Sequence, residues 1–440
     1  MRRLFTTVFL MFSLVTTACG AGPPGYLTNP HFHSVALDPE QHPFSHPGYL
    51  IGIEKAVFDK VGRVPFGTCP PDAALCLNRE AEYLADKKEW RKTLDRRLDD
   101  PKRLFVSHIA AYEQANGQGH TLPLQARLLA NLYRNDSLTC AKGPNHPEPT
   151  CIREGVEALK SLKADLEQRI ARERPTHVLF YSTGWNSDQN DSIRRYNLFF
   201  DQIVKAAHEA GDNSFRPIFI GISWPADWPE LPGPLDILNK KDDADEVAAT
   251  WINYLVNQVL LPLKKNDVKI VLIGHSFGGR IVATATNSRD LLPNPVQDKV
   301  NLVVGLQAAF SIKRFAGGTE GAPFKDFSAY ADKFVFISST HDDCGKQLGP
   351  FVYALNPILG EEGIKEAKKG DLATLFEVFE VTDSGEWEGA PSRSPEKALL
   401  LDASSIVKDR KGPPHIIAHN DVNNQEVGRL LWKTIKVFAP

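Results

Sequence analysis

At 440 residues, with 42% hydrophobic and 24% charged side chains, the chain has ample material for a sizeable core and the balance of a globular protein. Its formal charge of −3, from 51 basic and 54 acidic residues, argues against a nucleic-acid-binding surface and against a polybasic membrane anchor.

The first segment reads as an export signal. Met1-Arg2-Arg3 is positively charged, Leu4 to Val15 is apolar, and Thr16-Thr17-Ala18 is a small-residue exit. The apolar run is too short to span a bilayer as a helix, so residues 1–18 are expected to be a secretory signal peptide. Thr16-Thr17-Ala18-Cys19-Gly20 resembles the lipobox of bacterial lipoproteins, with Thr16 where an aliphatic residue is usual. That resemblance implies lipidation of Cys19 and a membrane tether; ordinary cleavage nearby would leave Cys19 a spare thiol. The expected location is the bacterial periplasm, or a lipid anchor on the envelope membrane.

Residues 19–65 are rich in Pro, Gly and His and are read as an irregular tether. His31, His33, His42 and His46 lie among Pro, Phe and Ser, which fits a surface loop better than a metal site. Of the six cysteines, Cys69, Cys76, Cys140 and Cys151 form two close pairs around Pro-rich loops. In an oxidising compartment Cys69–Cys76 and Cys140–Cys151 are natural disulfides, although spacing leaves the connectivity open. The competing zinc reading lacks CxxC spacing, and Cys344 is left over.

Residues 66–174 carry a helical texture and are expected to form a mainly helical extension. Ile152, Val156, Leu159, Leu162, Leu166 and Ile170 recur at steps of three and four, and similar patterning runs through 78–98 and 121–134. After Pro175 short apolar runs alternate with amphipathic stretches. The runs His177–Tyr181, Pro217–Ser223, Val268–Gly274, Val300–Leu306 and Phe334–Ser338 predict strands, with helices at about 190–210, 244–264 and 277–287. Buried strands joined by helices predict a mostly parallel sheet flanked on both faces, over 175–440.

The strand Val268–Gly274 runs directly into Gly274-His275-Ser276-Phe277-Gly278-Gly279, and a helix pattern follows at Arg280–Ala285. A sharp strand-to-helix turn needs glycine around the serine, where a Cβ would strike the crowded backbone. Such a turn lifts the serine hydroxyl above the sheet and aims the next backbone N–H, that of Phe277, at a substrate oxygen.

Here the chain resembles the α/β-hydrolase superfamily, in particular bacterial esterase- and lipase-like serine hydrolases with a Gly-His-Ser-Phe-Gly-Gly elbow. The resemblance spans about 175–438 and implies Ser276 as nucleophile. It further implies an oxyanion loop after the first strand, at Gly184-Trp185-Asn186, with Thr183 replacing the usual histidine of that loop. Gly184 or Trp185 would supply one backbone donor and Phe277 the other. The acid is expected just past Lys333–Ser338, at Asp342, with adjacent Asp343 as the alternative and Asp402 a distant third. The base is expected before the last helix, whose apolar face is Val427, Leu430, Leu431, Thr434 and Phe438, and His419 fits better there than His415. The order Ser276, Asp342, His419 is that of the superfamily.

No metal or organic cofactor is needed for such chemistry. Trp185, Trp224, Trp228, Phe277 and Phe310 are candidate pocket walls or plain packing, and the stretch from Trp224 to about Asp243 is a candidate partial lid. The expected substrate is a small-molecule ester of a moderately apolar acid. An amide, peptide or thioester bond would serve the same triad. A non-catalytic envelope binding protein on this scaffold would instead bury Ser276 or keep it from any histidine.

Overall fold

Strand alternation sets the layers of the sheet. In Lys269–His275, Ile270 and Leu272 enter one core, whereas Val271 and Ile273 enter the core on the opposite face. The computed structural model describes residues 43–55, 91, 94, 98, 104–114, 124–131, 149–185, 187–226, 240–241, 243–316, 323–342, 361–408 and 415–440. Among these, ten strands form one sheet: β1 (Gly48–Lys55), β2 (Leu104–Glu113), β3 (Gln125–Asn131), β4 (His177–Ser182), β5 (Pro217–Ser223), β6 (Lys269–His275), β7 (Leu302–Leu306), β8 (Phe334–Ser338), β9 (Phe376–Glu380) and β10 (Ala398–Asp402). The order across the sheet is β3-β2-β1-β5-β4-β6-β7-β8-β10-β9. Only β1–β2 and β2–β3 are antiparallel; every other pairing is parallel.

Helices cover both faces. On one lie α1 (Pro149–Glu173), a run of π-helical and 3-10 turns through 248–266, α3 (Phe277–Asn287) and α4 (Glu361–Ala367). On the other lie α2 (Gln189–Glu209) and α6 (Gln425–Phe438), while the one-turn α5 (Leu372–Leu375) leads into β9. Asp188 caps α2 by accepting the backbone N–H of Asp191 at 2.7 Å, and Asn424 caps α6 by accepting that of Val427 at 2.8 Å. Each Leu, Ile or Phe so buried contributes roughly 1.5–3 kcal/mol by area removed from water, which makes the doubly covered sheet the main source of stability. The expected mostly parallel sheet flanked by helices is therefore present, and it includes two strands, β9 and β10, that the apolar runs had not marked.

The region before residue 175 departs from expectation. Residues 48–55, expected to lie in an irregular tether, form β1, and this strand pairs in parallel with β5. Within 121–134, expected to be helical, Gln125–Asn131 is β3. β2 and β3 continue the central sheet by antiparallel pairing, so the described part of the extension adds two strands to the helix α1. The physical reason is burial. Tyr49, Ile51 and Ile53 of β1, with Val106, Ile109 and Ala111 of β2, lie in the same core as the helical face Leu159, Leu162, Leu166 and Ile170 of α1. Arg91, Leu94 and Leu98, within 78–98, are helical as patterned.

Candidate active site

The register of β4 against β6 brings the loop after β4 beside Ser276. Ser182 at the end of β4 pairs with Gly274 of β6, so the chain leaving β4 lies beside the chain leaving β6. β5 flanks β4 on one side and β6 on the other, the reversal of winding beside which open α/β sheets bind ligands, at the carboxyl ends of the strands.

Ser276 stands at that point between β6 and α3, with φ 56° and ψ −122°. A non-glycine residue held there costs of order 1–3 kcal/mol, which the surroundings must offset. They do so through its backbone. Its N–H donates to Leu306 O at 2.9 Å, and its carbonyl accepts from Ala309 N at 3.0 Å and Arg280 N at 3.2 Å. The flanking glycines permit the turn. A Cβ on Gly274 would lie 2.1 Å from Gly278 O, and one on Gly278 would lie 2.0 Å from Ser182 O. Phe277 opens α3, where the first backbone N–H groups have no acceptor within the helix.

Gly184 meets the serine directly. A Cβ there would stand 2.7 Å from Ser276 Cβ and 3.2 Å from Ser276 Oγ. Trp185 follows, half-buried against the core. Trp224 is buried, and its indole N–H donates to Thr183 O at 3.0 Å, bracing the loop from behind.

His419 lies in the 3-10 segment His415–Asn420, and its Nδ1 is 2.9 Å from Asp342 Oδ2. The Asp342 side chain is 2% exposed and that of His419 is 12% exposed, so the carboxylate is enclosed while the imidazole keeps an open edge. Because a carboxylate oxygen accepts, Nδ1 carries the hydrogen and Nε2 is left as the basic nitrogen. Asp402 instead accepts the backbone N–H of Ser404 at 3.1 Å and, by a shorter contact, its hydroxyl.

Some expectations fall differently. Phe310 is fully buried, with its ring 5.5 Å from Phe324 and 5.7 Å from Phe336, and Trp224 is likewise core packing; neither is a pocket wall. Phe277 also packs its side chain into the core. Asp343, Trp228, Asn186, most of the candidate lid, Cys19, Cys69, Cys76, Cys140 and Cys344 lie outside the described residues, as do the side chains of Cys151 and His415. His46 is paired with Asp201 at 2.7 Å. Among the described residues no group of three or more His, Cys, Asp or Glu is arranged to hold a metal ion.

Two residues at the site escaped the sequence reading. His275 Nε2 lies 2.8 Å from the backbone oxygen of His419, and burial, with the nearby His419 and Arg195, holds its pKa well below the usual histidine value. Gln307 has φ 45°, and its Oε1 accepts Ser339 N at 3.1 Å, pinning the turn that leads to Asp342. The elbow motif marks His275 only as a variable position, and Gln307 carries no motif at all.

Beneath the elbow is a buried ionic cluster. Asp245 accepts both Arg280 Nε, at 2.9 Å, and an Arg280 terminal nitrogen, and Arg314 reaches the same carboxylate at 3.3 Å. Arg280 also donates to Ala309 O at 3.3 Å, so the cluster buttresses the segment that fixes the Ser276 backbone.

No curated protein matches the chain. The family described as "Alpha/beta hydrolase of unknown function (DUF900)" matches residues 158–304, about a third of the chain, from α1 through β4, β5, β6 and the elbow into β7. The sheet order, the turn at Ser276 and this match together make the fold that of the α/β hydrolases.

Proposed function

We propose that the protein is a serine hydrolase that cleaves an acyl bond, with a carboxylic ester as its substrate. The observation that carries the reading is the hydrogen bond between His419 Nδ1 and buried Asp342, at the sheet edge where Ser276 is held at positive φ. A serine hydroxyl is a weak nucleophile at neutral pH, so a base must take its proton as it attacks. His419 does so through Nε2, and Asp342 holds the tautomer and stabilises the imidazolium that forms. The carbonyl oxygen, now negative, is met by the Phe277 backbone N–H and by one from Gly184–Trp185, each such donor being worth about 3 kcal/mol of barrier. Collapse expels the alcohol, protonated by His419, and leaves an acyl group on Ser276. Water, deprotonated by His419, then attacks the acyl-enzyme and releases the acid.

The test is labelling of purified protein by a fluorophosphonate, with turnover of p-nitrophenyl esters of graded length beside matched amides and thioesters. Wild type should label and hydrolyse esters, and the Ser276→Ala and His419→Ala variants should do neither. A wild type that neither labels nor turns over any acyl substrate refutes the reading. The N-terminal sequence adds a setting: export, then attachment to the envelope through a lipidated Cys19. Under that proposal Cys19→Ala moves the protein from the membrane fraction to the soluble one.

A further inference from the structure

We infer that His275 is a positioning residue that ties the strand presenting Ser276 to the loop presenting His419. The inference rests on reading those two residues as nucleophile and base. His275 is the last residue of β6, immediately before Ser276, and is buried. Its Nε2 lies 2.8 Å from the main-chain oxygen of His419, 144 residues away, and the two rings are 4.9 Å apart. A carbonyl oxygen can only accept, so Nε2 carries the hydrogen and the tautomer of His275 is fixed.

The contact matters because of what holds His419. The segment His415–Asn420 is a short 3-10 stretch, whose own hydrogen bonds are poorly aligned. Among the described residues, the segment is further tied where Asp421 N donates to Ala418 O at 3.2 Å and Arg195 reaches Asn420 Oδ1 at 3.4 Å. Asp421 is itself held by Asn424 Nδ2 at 2.7 Å and Lys408 N at 3.2 Å. None of these ties reaches the backbone of His419 itself. The imidazole of His419 is thus oriented at Nδ1 by Asp342, while its backbone is located by His275. The same tie joins the nucleophile's strand to the base's loop, so it sets their separation. A neutral donor suits the place, since a second cation would oppose the imidazolium that forms on His419. The burial that holds His275 neutral supports this assignment.

The experiment compares wild type with His275→Phe, His275→Asn and His275→Gln. Glutamine can carry an uncharged N–H to the position of Nε2. Asparagine reaches only as far as Nδ1, and phenylalanine fills the space without a donor. A displacement of about 1 Å costs on the order of 10²-fold, so Phe and Asn should lower kcat by that factor with KM little changed, and Gln should restore most of the rate. A second readout needs no turnover: the downfield NMR resonance of the His419 Nδ1 proton bonded to Asp342, assigned by its loss in Asp342→Asn. It should persist in His275→Gln and vanish in His275→Asn and His275→Phe. A full rate in His275→Phe, or a Gln variant as slow as the Asn variant, overturns the tether. Should wild type prove inactive, the hydrolase reading fails by itself, and the resonance decides the tether. Selective loss in Asn and Phe upholds it, and equal persistence in all three variants overturns it.

Discussion

Replacing Gly184 by alanine should slow the chemistry severely while leaving the fold intact. The added Cβ would lie 2.7 Å from Ser276 Cβ and 3.2 Å from both Ser276 Oγ and His275 O. Carbon atoms settle at about 3.5–4.0 Å, so one partner must retreat by the better part of an ångström. Ser276 cannot yield easily, because its backbone at φ 56° is pinned by hydrogen bonds to Leu306, Ala309 and Arg280. The loop after β4 must move instead, and with it the backbone donor proposed for the oxyanion. Losing one such donor costs about 2.7–4 kcal/mol, or 10²–10³ in kcat. The assay is kcat and KM on a p-nitrophenyl ester, with thermal melting recorded on the same preparations. Gly428→Ala is the control. There a Cβ would lie 2.7 Å from Gln202, between α6 and α2, so overpacking should cost about 1–3 kcal/mol of stability and leave the rate per folded molecule unchanged. A Gly184→Ala variant that folds normally and keeps wild-type kcat would refute the placement of the oxyanion donor in this loop.

Other substitutions probe the remaining parts. Asp342→Asn keeps the size of the side chain but can donate to Nδ1, favouring the wrong tautomer of His419; kcat should fall by about 10⁴ with the melting curve little moved. Asp245→Ala strips a buried carboxylate from Arg280 and Arg314, and should cost roughly 3–5 kcal/mol in urea unfolding, whereas a shift within error would show that the cluster contributes little. His177 is buried with Nε2 2.8 Å from Ala439 O, and burial lowers its pKa to about 4. The unfolded chain therefore binds this proton first, and about 3 kcal/mol of stability present above pH 6.5 is lost as the pH falls to about 4. Urea midpoints measured across that window should show the slope in wild type and a flatter one in His177→Gln.

The elbow and the strands around it were legible because several levels agree there. A continuous apolar run, glycines where the backbone crowds, and a helix pattern directly after them all specify one turn, and Ser276 occupies it. Asp342 and His419 were legible only through chain order, and 77 residues separate them; the sequence alone does not say that they touch at 2.9 Å. The aromatic residues show the opposite weakness. Phe310 and Trp224 follow strands, as pocket residues do, yet core and pocket both favour large rings, and only packing against Phe324, Phe336 and Thr183 separates the two cases.

The first strands were misread for a physical reason that bears on what the N-terminal region does. β3 reads Gln-Ala-Arg-Leu-Leu-Ala-Asn, a run of good helix formers, and local propensity of a few tenths of a kcal/mol per residue favours helix. Pairing with β2 and packing against α1 reverse that preference, since strand propensity follows the neighbours more than the backbone. β2 is buried on both faces and so lacks the alternation that marks a half-exposed strand. A polar tie adds to the apolar one. Arg127 of β3 reaches Glu113 of β2 at 2.9 Å and Asp165 of α1 at 2.8 Å, and Asp165 also accepts the Tyr49 hydroxyl of β1 at 2.8 Å. Four elements before residue 175 are thus locked to one another, and through β1 and β5 to the sheet that carries the elbow. The family match begins at residue 158, inside α1, so β1–β3 lie outside it while completing the same hydrogen-bonded sheet. A truncation at the match boundary would expose the edge of β5 and the apolar face that α1 and β1 share. The N-terminal strands therefore belong to the structure that holds Ser276 in place.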